Sequence, residues 1–548
     1  MNARRLVLMT VAALAVLAPG TAGAAAPRAQ LVAAPAGDGL ARATAAGRFP
    51  PAEAALLRAQ ALFHPLAAQR AAGVAIRRAD PRDATLILRD LVANLDGLSA
   101  TQRQEAKRIL ARPSDGNADP LGNGWSGAEA ANSPACDANV CVHWTATGGD
   151  APDLTDNDAN GVPDWVDQTL AVMGDVWTEE VGTLGYRAPK SDATSANNGG
   201  DGRVDVYLAN IGPSLYGYCT SDDPHNTDPS YHFFDASAYC VLDDDYSTSQ
   251  FPDPPLVSLD VTAAHEFFHA VQFAYDYFED AWLMEGTATW MEGVVYPAIH
   301  QHVAYLSLSP LTHPTVSLDS FASSHYYWYG SWLWFQFLTE WLSTNGTPAN
   351  AAIRGIWQRA DGSPSGIDNY SMQAVRNEIT ARSGVGLTYA FADFAMWNRY
   401  KQWYQDGAAY PSAAAAKVYT LGPGHTTTGW QVTHLNHLAA LPATIRPAAN
   451  GSTTAHLTVS FDLPNTIYGS AARVLVRTHS GVVAHRLTLS SGGNGSVRVS
   501  FARGTVTAVT VITVNGSGRY SCWHSTQWSC AGTPLDQGRT YQFRATLS

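Results

Sequence analysis

Between positions 51 and 69, and again between 99 and 111, apolar residues return every three to four positions among Arg, Gln and Glu. That spacing predicts amphipathic helices, with Ser99 and Thr101 as N-caps for the second. The run Arg112-Pro113-Ser114-Asp115-Gly116-Asn117 reads as a linker. Beyond it the pattern shortens: 140–146 and 203–211 show the β-branched and aromatic alternation of strands, and 238–242 is a further candidate. From 261 to 340 the period is again mostly helical. From about 443 it becomes short Thr- and Val-rich runs at 457–461, 473–477, 496–501 and 505–514, separated by Gly and Asn. Short strands at that spacing predict an all-β sandwich. The expected organisation is therefore α+β: a helical leader over 25–113, a mixed body over 125–440 and a β-sandwich over 443–548.

The N-terminus adds a destination. Arg4 and Arg5 precede an uncharged apolar run at 6–17, and Ala22-Gly23-Ala24 fits a small-residue cleavage site. The run is too short for a comfortable membrane span, so residues 1–24 read as a secretory signal and the protein as secreted, with no membrane association after cleavage. Six cysteines fall into close pairs, Cys136/Cys141, Cys219/Cys240 and Cys522/Cys530. An even count in an exported chain reads as disulfides, and of the fifteen connectivities, nearest-neighbour pairing is the simplest.

Charge divides the chain. The stretch 27–113 has 13 basic and 7 acidic residues, whereas 114–548 has 19 basic and 40 acidic, within a total of −13. A basic leader before an acidic body suggests either a propeptide docked by charge and removed between Arg108 and Trp125, or a helical accessory domain. The acidic balance argues against nucleic-acid binding. With 46% hydrophobic and 15% charged residues, large cores are expected.

The chemistry lies in the helical region. His265 and His269 are four apart, so on a helix both imidazoles share one face and reach a single ion. Glu266, next to the first, can lie beside the ion's open position. Glu285 follows sixteen positions after His269 in Trp282-Leu283-Met284-Glu285-Gly286-Thr287, an apolar segment of helical length. A helix, a short turn and a returning helix would bring it to the histidines. Two His and one Glu leave one tetrahedral position for water, as a catalytic zinc requires.

These two segments resemble the gluzincin metallopeptidases. His-Glu-Phe-Phe-His-Ala-Val is similar to the thermolysin active-site helix. Trp-Leu-Met-Glu-Gly-Thr-Ala-Thr-Trp-Met-Glu resembles the third-ligand segment of aminopeptidase N and of exported bacterial metalloprotease-like proteins. The resemblance covers about 35 residues. It implies a zincin-like core of mixed sheet, active-site helix and helical lower half, with His265, His269 and Glu285 as zinc ligands and Glu266 as base. In two respects the chain departs from that pattern: the gap to Glu285 is shorter than in aminopeptidase N, and Thr289 stands where thermolysin has an Asp that supports a ligand His. Glu292, Asp276 and Asp280 are the alternatives for that support. The oxyanion donor is expected from His325-Tyr326-Tyr327-Trp328-Tyr329, with Tyr329 favoured over Tyr326, Tyr327 and His325.

The expected activity is zinc-dependent hydrolysis of peptide or protein substrates; the alternative is a secreted adhesion protein with an inactive metalloprotease-like core. Because every catalytic candidate precedes 443, the β-rich tail is expected to be dispensable for peptide-bond chemistry. Finally, Asp156, Asp158, Asn160, Val162 (by its carbonyl), Asp164 and Asp167 occupy positions 1, 3, 5, 7, 9 and 12 of a loop with Gly161 at position 6. That layout suits calcium, although Pro163 and the terminal Asp depart from an EF-hand. The loop resembles the acidic D-x-D-x-N-G-x-P-D loops of extracellular repeat proteins.

Overall fold

The structure, a computed structural model, describes residues 38–548 except 77–82, 119–123, 213–214, 226–230, 322–326, 344–347, 349 and 525. The expected signal segment and two of the oxyanion candidates, His325 and Tyr326, lie outside the described residues.

The leader is helical: α1 (Gly39–Ala45), α2 (Pro51–Phe63), α3 (Pro65–Ala72), α4 (Ala84–Ala93) and α5 (Ala100–Ile109). The single helix expected over 51–69 is two. Pro65 supplies no N–H and drives the residue before it out of the helical region, so His64 sits at φ −129° and the chain turns there. Ser99 caps α5, accepting from the Gln102 amide while the Gln102 side chain accepts from the Ser99 amide. Thr101 lies inside that helix.

The body opens with β1 (Ala135–Cys136), β2 (Val140–His143), β3 (Val204–Ala209), β4 (Gly217–Thr220) and β5 (Tyr239–Asp243), ordered β1-β2-β3-β5-β4. The three central strands are parallel, and β1 and β4 run antiparallel at the edges. Every residue of β2 to β5 is buried, because helices cover the sheet. Strand β4 escapes a sequence reading because its four residues, Gly-Tyr-Cys-Thr, are too few to show a period. Helices α6 (Asp164–Trp177) and α7 (Pro255–Phe273) pack on the sheet and on each other.

There follow α8 (Ala281–Val295), α9 (Tyr327–Gly330), α10 (Trp332–Ser343), α11 (Ala351–Arg359), α12 (Met372–Ser383) and α13 (Leu387–Arg399). The remaining strands are β6 (Lys417–Leu421), β7 (Gln431–Leu435), β8 (Ala439–Pro447), β9 (His456–Asp462), β10 (Ser470–Thr478), β11 (Gly481–Arg486), β12 (Asn494–Ser500), β13 (Val506–Asn515), β14 (Tyr520–Ser521), β15 (Thr533–Pro534) and β16 (Arg539–Leu547). They form sheets β11-β10-β13-β8-β6 and β12-β9-β16-β7 and the small pair β14-β15. Strands of the larger sheets thus begin at Lys417, earlier than the expected 443. Leu457, Val459 and Phe461 of β9 and Tyr541, Phe543 and Ala545 of β16 share one apolar cluster with Val509 and Val511 of β13. The opposite face of β13, with Ile512 and Val514, joins the core of the body, where α13 packs against it. The result is an α+β arrangement in which sandwich and body are fused along β13.

The disulfides are Cys136–Cys141, Cys219–Cys240 and Cys522–Cys530, the nearest-neighbour set. The second ties edge strand β4 to β5. Among the described residues, no helix is long and apolar enough to cross a membrane.

Candidate metal centre

Helix α7 carries His265, Glu266 and His269, and the chain turns back within seven residues into α8, which carries Glu285. The four-residue spacing puts the two imidazoles side by side, edge to face, with centroids 4.9 Å apart. Nε2 of His265 is 3.3 Å from Glu285 Oε2, and Nε2 of His269 is 3.6 Å from Glu285 Oε1. A tetrahedral zinc site with arms of about 2.0–2.1 Å has edges of about 3.3–3.4 Å, so the three donors stand at ion-holding separations. Together they form a buried group that could hold a metal ion.

The outer ring atoms of the histidines explain this aim. Nδ1 of His265 lies 2.8 Å from Glu292 Oε1, and Nδ1 of His269 lies 2.7 Å from Gln272 Oε1. Both oxygens accept, so each Nδ1 donates outward and each Nε2 is the ring atom turned toward Glu285. Gln272 is itself oriented: its amide donates to the Met284 carbonyl and to Thr287 Oγ1. Of the three supports considered from sequence, Glu292 is the one placed against a histidine. Asp276 instead accepts from the Phe278 amide, and Asp280 from the Cys530 amide. Gln272 was missed; its position three after His269, one helical turn on, was the available signal. Thr289, at the position of the thermolysin Asp, donates to the Glu285 carbonyl within its own helix.

Electrostatically the pocket suits a cation. Burial alone would lower the His265 pKa, yet the facing carboxylates Glu285 and Glu292 carry it up to about 10. Burial and the charge of His265 push His269 well below its usual range. Burial also raises the Glu266 carboxyl to about 7, with His265 pulling it partly back. Three carboxylates around two imidazoles in a poorly solvated site leave excess negative charge for a divalent ion.

Glu266 sits at the rim of this group, 4% exposed. Its Oε2 accepts from Thr85 Oγ1 at 2.8 Å, a residue of leader helix α4 that is 181 positions away. Tyr329, from α9, places its ring 6.3 Å from that of His265 and donates its hydroxyl to Asp83 at 3.0 Å. Tyr327 points elsewhere, to the Val316 carbonyl. Tyr329 is thus the described aromatic candidate that flanks the metal ligands.

The acidic loop folds apart from this site, just before α6. Carboxylate oxygens of Asp156, Asp158 and Asp164 lie within 4.8 Å of one another, and Gly161 takes a positive φ of 89° at the turn. Asp167 instead accepts from the Asn160 side chain, whose own oxygen accepts from the Val162 amide.

Compared with known protein families and with curated protein sequences, the chain gives no match.

Proposed function

We propose that the protein is a secreted zinc-dependent peptidase with a zincin-like core, in which His265, His269 and Glu285 hold the metal and Glu266 is the general base. The observation that carries this reading is the convergence of donor atoms from His265, His269 and Glu285, with the neighbouring Glu266 carboxylate not among them. A zinc ion held there would acidify a water molecule and polarise the scissile carbonyl. Glu266, its carboxyl raised by burial toward neutrality, takes the proton of the attacking water and delivers it to the leaving amine. The Tyr329 hydroxyl, once freed from Asp83, donates to the developing oxyanion. Glu292 and Gln272 hold the imidazoles in the ligating tautomer.

The three disulfides and the resemblance of the N-terminus to a secretory signal support an extracellular setting. The adhesion alternative predicts a bound metal without turnover.

The deciding experiment is chelator-sensitive hydrolysis of a fluorogenic peptide pool by protein freed of its leader. Glu266→Gln should keep fold and metal and lose at least a hundredfold in turnover, whereas Glu285→Ala should lose metal and turnover together. Near wild-type turnover in Glu266→Gln would exclude Glu266 as the base.

A further inference from the structure

Helix α4 is buried along nearly its whole length, from Ala84 to Val92. Such a helix in a peripheral leader is unusual, since a surface helix keeps one polar face in water. Here one side is covered by α2 of the leader and another by β4 of the body. Two polar side chains of α4, Thr85 and Arg89, reach residues of the body beside the candidate metal centre.

Thr85 makes two bonds there. Its hydroxyl donates to Glu266 Oε2 at 2.8 Å and accepts from the backbone amide of Cys219 at 3.0 Å. Cys219 lies on β4, the edge strand of the sheet, so this amide is one an extended ligand would otherwise meet. One turn further along α4, Arg89 is fully buried, donates to the Glu279 carbonyl at 2.7 Å and lies 3.1 Å from Met284 Sδ, next to Glu285. Just before α4, Asp83 accepts from the Tyr329 hydroxyl. Three leader residues therefore engage the base, the oxyanion donor and the segment bearing the third ligand.

At the end of the leader a second contact holds it down. Arg112, 1% exposed, pairs with Asp192 at 2.6 Å and Asp222 at 2.9 Å and also bonds Asp205. Tyr239 Oη donates to the Leu110 and Ala111 carbonyls at 3.0 Å each.

We infer that α4 is a built-in plug that keeps the intact chain latent by occupying the substrate position at the metal. Thr85 takes the proton-accepting oxygen of Glu266, Asp83 takes the Tyr329 hydroxyl, and the helix fills the space along β4. Arg112 seats the plug, and activation requires α4 to leave the site. This inference rests on the peptidase reading for its meaning but not for its test.

The test uses the full chain loaded with zinc. Access to the metal is read by titration with a small hydroxamate, and turnover by the fluorogenic peptide pool. The variants are Thr85→Ala/Arg89→Ala, which removes both polar anchors, Leu88→Asp/Leu91→Asp, which charges the buried helix, and Thr85→Ser, which keeps the hydroxyl. Wild type and Thr85→Ser should bind hydroxamate at least tenfold more weakly than the first two variants. Should the charged helix cost the protein its zinc, the comparison of Thr85→Ala/Arg89→Ala with Thr85→Ser decides. Equal hydroxamate binding in those two overturns the plug. So does lower turnover in Thr85→Ala/Arg89→Ala, which would make Thr85 a positioning residue of the working site. If access opens as expected but no peptide is cut, the plug stands and the peptidase reading falls. If the intact wild type cuts peptide as fast as the opened variants, the plug falls and the peptidase reading stands.

Discussion

The backbone amide of Cys530 donates to Asp280 Oδ2 at 2.8 Å, joining residues 250 positions apart. Asp280 is the N-cap residue of α8, the helix that carries Glu285. Ser529, beside Cys530, contacts Ser371 through its hydroxyl and donates its amide to Asp319. The expectation that the tail is dispensable for the chemistry therefore meets a structure in which the tail fastens α8, the helix of the proposed third ligand. Asp280→Ala should lower stability by about 1–3 kcal/mol by leaving a buried amide unpaired. Metal affinity should fall with it. Thermal melts and a chelator competition titration check both. A shortened chain ending before 529 should behave like Asp280→Ala or worse; wild-type metal affinity in that form would contradict the coupling.

Gln272 is an unusual support for a ligand histidine, since a neutral amide replaces the more familiar carboxylate. Gln272→Leu removes the acceptor for His269 Nδ1 and leaves the Met284 carbonyl without that donor. Metal affinity should drop by about 10–100-fold, with Gln272→Glu largely restoring it. Glu292→Ala should cost a similar factor through His265. Unchanged affinity in both single variants would mean that the ligand tautomers are set by other groups.

The acidic loop before α6 predicts a calcium effect. Asp156, Asp158 and Asp164 repel one another unless a cation joins them. Millimolar calcium should raise the melting temperature of the zinc-loaded protein by binding the folded state selectively. Asp156→Ala/Asp158→Ala should abolish the rise. No rise in the parent protein, and no calcium by elemental analysis, would reduce the loop to a solvated turn.

His143 predicts a pH dependence at the other end of the sheet. Its Nδ1 lies 2.7 Å from Glu129 and its Nε2 lies 3.0 Å from Asp205, while its ring stacks on Tyr207. Burial works to lower its pKa, but the hydrogen-bonded Asp205 and Glu129 raise it above the ordinary 6.5. The folded state thus holds this proton more tightly than the unfolded chain. The stabilisation is complete below pH 6.5 and is lost as pH rises through the raised value. Burial likewise opposes the fall of Glu129, yet hydrogen bonds from His143 and Ser133 lower it, so its contribution is lost in acid, below its ordinary 4.5. Urea midpoints should decline from pH 6.5 upward in wild type, and His143→Gln should make that limb shallower, leaving the share of His265 and Glu266, whose pKa values are also raised. A slope that survives the substitution belongs to another group; Arg112, which shares Asp205, does not titrate in this range.

What the sequence determined by itself is local in origin. His265, Glu266 and His269 lie within one helical turn or so, and helical periodicity alone puts the imidazoles together. Glu285 was legible because a single short turn returns the chain antiparallel. The nearest-neighbour disulfides, the helical leader and the β-rich tail followed from spacing and composition in the same way. Tertiary structure decided the rest. Pro65 split a helix that periodicity had joined, but that too was local; strand β4 was not, because its four residues are too few to show a period and pairing with β5 makes them a strand. Thr85 against Glu266 and Cys530 against Asp280 have no trace in any local pattern, since a side chain's hydrogen-bonding capacity names no partner. Those partners are fixed only when the core excludes water and each buried polar group must be satisfied by whatever the packing brings within reach.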